Sequence, residues 1–162
     1  MTRVFQDARA FRESCPTGAL LGCDVGTQTV GVAVCDPLRT IASAQKTLAR
    51  GRFHRDLEVL QEVLEGREIA GAVVGLPVHL SGGGGPRVQA AKAYARNLSK
   101  ALDVPVLLWD ERWSTVTAER GLIDADMSRA KRAEVIDAVA AAVILQAALD
   151  RLAHLQAEMN DE

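Results

Sequence analysis

No run in this 162-residue chain approaches the ~18 consecutive apolar residues that a membrane-spanning helix needs. The first stretch interleaves Arg3, Asp7, Arg9, Arg12 and Glu13 with its apolar residues, so no export leader is expected either. Charge of one sign is equally scarce. The 19 Lys and Arg against 21 Asp and Glu leave a net charge of −2, which excludes a protein that coats nucleic acid by bulk charge, because that mode needs many cations set against phosphates. Any contact with nucleic acid must come from a local patch. Cysteine is sparse: Cys15, Cys23 and Cys35 form no CxxC pair and are odd in number, which argues for neither a disulfide framework nor a zinc site and leaves reduced, buried thiols as the reading. There is no internal repeat. What is present is one domain's length of chain, 48% hydrophobic, able to bury a core; a cytoplasmic protein without membrane contact is the expectation.

Residues 1 to 18 lack periodicity and close on Cys15-Pro16-Thr17-Gly18, which reads as a loosely held tail ahead of a domain over residues 19–160. Leu20 to Val25 read as a buried strand, Thr29 to Cys35 as a second after the short Gly26-Thr27-Gln28 turn, and Ile41 to Leu48 as a third. Links this short require an antiparallel meander. Leu57, Leu60, Val63 and Leu64 recur at helical spacing, predicting a helix over about 53–65. Ala70 to Leu76 and Val104 to Trp109 are apolar strands; between them Pro86 suits the first turn of a helix running to Leu102. A helix over Thr115 to Ala125 follows, then a break near Asp126-Met127, then a long helix from an N-cap at Ser128 to about Met159. This order predicts an α/β fold: a five-stranded mixed sheet, made of the three-strand meander plus two parallel strands, with helices on both faces.

Three acids stand where acids are costly. Asp24 ends an apolar strand, and a carboxylate desolvated there needs a cation or hydrogen-bond donors; Gly26 beside it lets a phosphate approach the backbone. Asp110 and Glu111 follow the strand to Trp109, at the carboxyl end where α/β sheets bind ligands. Alternation along a strand points only one of them at a site, and Glu111 is favoured, with Asp110 as its orienting neighbour. Asp137 lies among Val135, Ile136, Val139, Ala140, Val143 and Ile144. Converging carboxylates suit phosphodiester hydrolysis, in which divalent ions roughly 3.5–4 Å apart serve both ends of an in-line displacement. Mg²⁺ or Mn²⁺ is the expected cofactor, since both prefer oxygen ligands and there is no His/Cys cluster for zinc.

With Leu21-Gly22-Cys23-Asp24-Val25-Gly26-Thr27, Gly31-Val32-Ala33-Val34, Val73-Val74-Gly75-Leu76-Pro77, Gly85-Pro86-Arg87, Asp110-Glu111-Arg112-Trp113-Ser114-Thr115 and Ile136-Asp137 in order, the chain resembles the YqgF/RuvX family of pre-16S rRNA nucleases, also described as Holliday-junction-resolvase-like. The resemblance implies a ribonuclease-H-like fold and maturation of the 5′ end of small-subunit ribosomal RNA. It also implies catalytic and metal-holding roles for Asp24, Glu111 and Asp137, and a basic residue at Arg87 to meet substrate phosphate. Gly26, Thr27, Arg87, Arg112, Trp113 and Ser114 are the expected substrate-binding set, Trp113 by stacking on a base. Two departures stand out: His79 and Ser81 occupy places where the family carries amides or acids, and Ala140, one turn after Asp137, offers no second acid.

The Gly82 to Gly85 run lacks the Lys and Ser/Thr of a P-loop and reads as a flap over nucleic acid or a surface loop. Arg129, Lys131 and Arg132 read as a solvated helix face or as phosphate contacts near Asp137. The expected partner is nucleic acid, RNA ahead of branched DNA, bound by a monomer or homodimer. The rival readings are a sugar kinase or ATPase, which needs two related domains, and a non-catalytic module that binds RNA or a transcription complex.

Overall fold

The computed structural model describes residues 2–77, 84–113 and 129–160, the last segment with side chains from 136 onward. The expected helix over Thr115 to Ala125, the Ser128 cap, His79, Ser81 to Gly83, Ser114 and the side chains of Arg129, Lys131 and Arg132 lie outside the described residues.

Six strands form one sheet: β1 (Val4–Phe5), β2 (Ala19–Val25), β3 (Thr29–Cys35), β4 (Ala42–Ala49), β5 (Ile69–Leu76) and β6 (Val106–Asp110), in the order β1-β6-β5-β2-β3-β4. β2, β3 and β4 are the antiparallel meander, and β5, β6 and β1 run parallel to β2. Four described helices accompany them: α1 (Ala8–Ser14), α2 (Phe53–Val63), α3 (Pro86–Leu102) and α4 (Arg129–Asn160). β2 is buried along its whole length, as a run of Ala, Leu, Cys and Val flanked by strands on both sides requires.

Alternation along the strands divides the core between two faces. Leu21, Cys23 and Val25 of β2 pack with Leu60 of α2 and with Val88, Tyr94 and Leu98 of α3. Leu20, Ala33, Val73, Leu107 and Trp109 pack on the other face with Phe11 of α1 and with Ile144, Leu145 and Leu149 of α4. Helices on both faces of a meander-plus-parallel sheet make the ribonuclease-H-like arrangement. α3 starts as expected, with Gly85 as N-cap and Pro86 in the first turn, and ends on Asp103 in the left-handed conformation at φ 54°.

The strand count corrects the expectation of five. The stretch expected as a loose tail supplies β1, which pairs with β6 through Val4↔Val106 and Phe5↔Leu107. Arg3 is held from both sides, its amide donating to Ser99 Oγ at 2.8 Å and its carbonyl accepting from the Val106 amide at 2.9 Å. Asp7 caps α1 by accepting from the amides of Arg9 and Ala10, and Phe11 is fully buried, worth about 2 kcal/mol of apolar transfer. The added strand covers the edge that β6 otherwise exposes. Two residues are too short for a period-2 pattern, which is why the sequence alone does not reveal the strand.

Candidate functional site

Asp24 lies on the α4 face of β2, in alternation with Leu20 of that face's core, and is 5% exposed. Its environment is set by the strands on either side. On β3, Asp24 pairs with Gly31, and directly opposed residues of antiparallel strands share a face. A Cβ at Gly31 would fall 1.8 Å from the Asp137 carbonyl oxygen, so only glycine lets α4 descend onto the sheet beside Asp24. On β5, the register Cys23↔Val74 carries Gly75 alongside Asp24. A Cβ at Gly75 would meet Ile144 Cδ1 at 2.7 Å and Glu111 Cγ at 3.3 Å. The Glu111 side chain therefore lies over Gly75. Two glycines flanking one aspartate make the room in which residues from β6 and α4 reach the carboxyl end of β2.

Glu111 opens a 3-10 turn, Glu111–Trp113, directly after β6, and is 3% exposed. Leu107 and Trp109 of β6 belong to the α4-side core and Leu108 to the other, so alternation turns Glu111 to the α4 face and Asp110 away from it. Asp110 is bound instead to Arg112: its carboxylate accepts from the Arg112 amide at 2.9 Å and from the guanidinium at 2.6 to 3.1 Å. That pairing raises the Arg112 guanidinium above its ordinary pKa, chiefly through the hydrogen bonds it donates to Asp110 and then through the Asp110 charge. The planar fork of Arg112 is thus largely engaged within the chain.

Asp137 is half-buried, and its carboxylate accepts a 2.5 Å hydrogen bond from Thr29 Oγ1 at the start of β3. Asp24 and Glu111 share one trough with the backbone of Asp137. Among the described residues, no three His, Cys, Asp or Glu side chains are gathered in metal-holding geometry. The donors fit a hard divalent cation in kind: the three acids offer carboxylate oxygens only, and Cys23, next in sequence to Asp24, points into the opposite core with its thiol pushed above the ordinary range by burial and by the Asp24 charge.

Around the β2–β3 turn, Gly26 and Thr27 line a cavity of about 230 Å³ together with Arg50, Pro86 and Arg87. Arg50 also donates to the Gly26 carbonyl at 2.8 Å, and the Gly26 amide donates to the Thr29 carbonyl at 2.8 Å. Two guanidiniums thus border the carboxyl end of β2, where the sequence analysis named only Arg87. Sequence reasoning missed Arg50 and Thr29: Arg50 follows an exposed edge strand and reads as surface charge, and Thr29 is 108 residues from its partner. Trp113 is 59% exposed and meets Trp109 edge to face, ring centroids 5.1 Å apart at 86°.

A family model described as "RuvX: Holliday junction resolvase" matches residues 18–151. A protein of Rhodobacter capsulatus named "Putative pre-16S rRNA nuclease" is 55% identical over 138 residues, covering 85% of this chain and 87% of that protein. A Sphingopyxis alaskensis protein of the same name is 52% identical over 143 residues, covering 88% and 93%. Among solved structures, Thermus thermophilus RuvC in complex with Holliday junction substrate is 14% identical, with a TM-score of 0.47 over 82% of this chain and 93% of that one.

Proposed function

The chain belongs to the RuvX Holliday junction resolvase family, and from that premise we propose that it hydrolyses phosphodiester bonds in nucleic acid, acting on the 5′ end of precursor small-subunit ribosomal RNA, with Asp24, Glu111 and Asp137 as its catalytic acids. The observation that carries this reading is the pair of buried carboxylates, Asp24 and Glu111, on one face at the carboxyl ends of β2 and β6. Both stand at the end of the sheet where α/β folds bind ligands, and carboxylate oxygens are the donors that a hard divalent cation takes. The relatives' shared name, "Putative pre-16S rRNA nuclease", supports RNA as the substrate.

Asp24 and Glu111, with Asp137 held in place by Thr29, would hold Mg²⁺ or Mn²⁺. When bound, such an ion lowers the pKa of water and stabilises charge on the phosphate oxygens. Thr29 orients the Asp137 carboxylate through one oxygen, which leaves the other for the ion. Arg50 and Arg87 flank the Gly26-Thr27 turn, where they hold the phosphate backbone by charge-assisted hydrogen bonds, while Gly26 lets that backbone come close. Arg112 orients Asp110 and, through the 3-10 turn, Glu111; its exposed face and Ser114 complete the substrate-binding set, with Trp113 stacking on a base.

The test offers the whole protein, in Mg²⁺ and in Mn²⁺, a 5′-extended small-subunit RNA and a four-way DNA junction. Metal-dependent shortening of the RNA is expected. Cleavage of the junction alone would replace RNA by branched DNA, and binding without cleavage of either would leave a non-catalytic module.

A further inference from the structure

Next to the trough, on the α1 side, lies a cavity of about 510 Å³ that the hydrolytic site does not use. Its walls are Trp109 and Trp113, the alanines Ala8 and Ala147, and the polar residues Gln6, Asp7 and Arg151. The size is that of a small-molecule site. The two indoles meet at 86°, so a flat group stacked on one ring presents its edge to the other. Trp109 is 5% exposed, its ring held in place by the core behind it. Arg151 is exposed and makes no ion pair among the described residues, whereas Arg9 and His154 nearby are both engaged by Glu158.

These features select an occupant. One carboxylate (Asp7) and one guanidinium (Arg151) leave the lining without net charge, which disfavours a phosphate inside it, and two indoles with two alanine methyls favour a flat, weakly polar ring. A flat ring whose edge carries acceptors for Arg151 fits this lining, and in a nucleic-acid substrate that ring is a nucleobase. Glu111 lies between Trp109 and Trp113 in sequence, and Trp109 precedes it on the same face by about 7 Å of strand, so an occupant of this cavity belongs to the nucleotide next to the hydrolytic site. We propose that the cavity between Trp109, Trp113 and Arg151 receives an unpaired base of the substrate, so that the protein engages nucleic acid at a single-stranded position beside the bond it cleaves. The proposal rests on nucleic acid being the substrate and deepens that reading.

The chain has only two tryptophans, and both line this cavity, so its indole fluorescence reports on the occupant. With the divalent cations chelated, the whole protein is titrated with a short single-stranded RNA, the same sequence as DNA, and the RNA duplex. Both single strands are expected to quench the fluorescence, since the cavity reads the base and not the sugar, and the duplex is not. Trp113→Ala is expected to weaken single-strand binding about tenfold, the loss of one stacked base, and Trp113→Phe to keep most of it. Arg151→Gln is expected to weaken it less than Trp113→Ala. Trp113 is exposed, so these variants fold, which thermal melting checks. Equal quenching by the duplex, no quenching by either single strand, or undiminished binding by Trp113→Ala overturns the proposal. Cleavage in Mg²⁺ is scored separately: quenching without cleavage retains the base pocket and rejects the nuclease.

Discussion

Gly31 and the carbonyl of Asp137 touch so closely that a Cβ on Gly31 would lie 1.8 Å from the Asp137 oxygen. The backbone of α4 is thereby set against the strand that pairs with Asp24. Gly31→Ala is expected to push α4 off the sheet and to cost about 3 kcal/mol, at the upper end for overpacking, and to abolish cleavage. Gly51→Ala is the control: its Cβ would meet only an Asp56 side-chain oxygen, at 3.7 Å, and stability should stay within about 0.5 kcal/mol. Chemical denaturation of the two variants checks the pair.

Thr29→Val removes the hydroxyl that holds Asp137. A hydrogen bond to a charged group is worth about 1.5–3 kcal/mol, and the loss is expected to appear as a higher Mg²⁺ concentration for half-maximal cleavage. Thr29→Ser keeps the hydroxyl and should restore it. A purely structural Thr29 would lower the melting temperature without moving the Mg²⁺ dependence.

Arg50 and Arg87 border the same cavity but differ in their other contacts. Removing either should lower the slope of log affinity against log salt by about 0.7 on a single strand. Arg50→Ala should also cost about 1 kcal/mol of stability, because Arg50 holds the Gly26 carbonyl. Binding titrations across salt concentrations, with denaturation curves, separate the two roles.

These relationships show where sequence reading stops. β3 and the start of α3 were legible because β-branched alternation and a proline after glycine are local signals. The orientation of Glu111 away from Asp110 was legible too, since it follows from strand alternation alone. β1 was not: its pairing depends on β6 about a hundred residues away and on a single buried phenylalanine. Thr29–Asp137 and Arg50–Gly26 were hidden for the same reason. Each joins residues by the crossing of α4 over the sheet or by the β4 edge folding back, and neither leaves a periodicity. The glycines at 31 and 75 read as ordinary strand glycines until the helix laid across them shows why no side chain fits.

Tyr94 is the one tyrosine of the chain and is 5% exposed. Its hydroxyl is raised above the ordinary 10.0, first by burial and then by the charges of Cys23 and Asp56. Above pH 10 the unfolded chain releases this proton while the folded one keeps it, so the unfolded state binds fewer protons and stability falls as pH rises. Below pH 10 the two states bind the proton alike, and this contribution does not vary with pH. Phenolate absorbance should therefore appear only with unfolding, and Tyr94→Phe should flatten the decline in stability above pH 10. Titration of the phenol in the folded protein near 10 would contradict this.

Single-turnover cleavage of a 5′-extended small-subunit RNA by the wild type, Asp24→Asn and Glu111→Gln, with RNA affinity measured alongside, bears most directly on the proposed hydrolysis. Each substitution removes one buried charge at nearly constant shape. The expected result is a loss of about three orders of magnitude in rate, ~4 kcal/mol of transition-state stabilisation, with affinity for the RNA retained. Variants that cleave at the wild-type rate would show that these two carboxylates do not perform the chemistry.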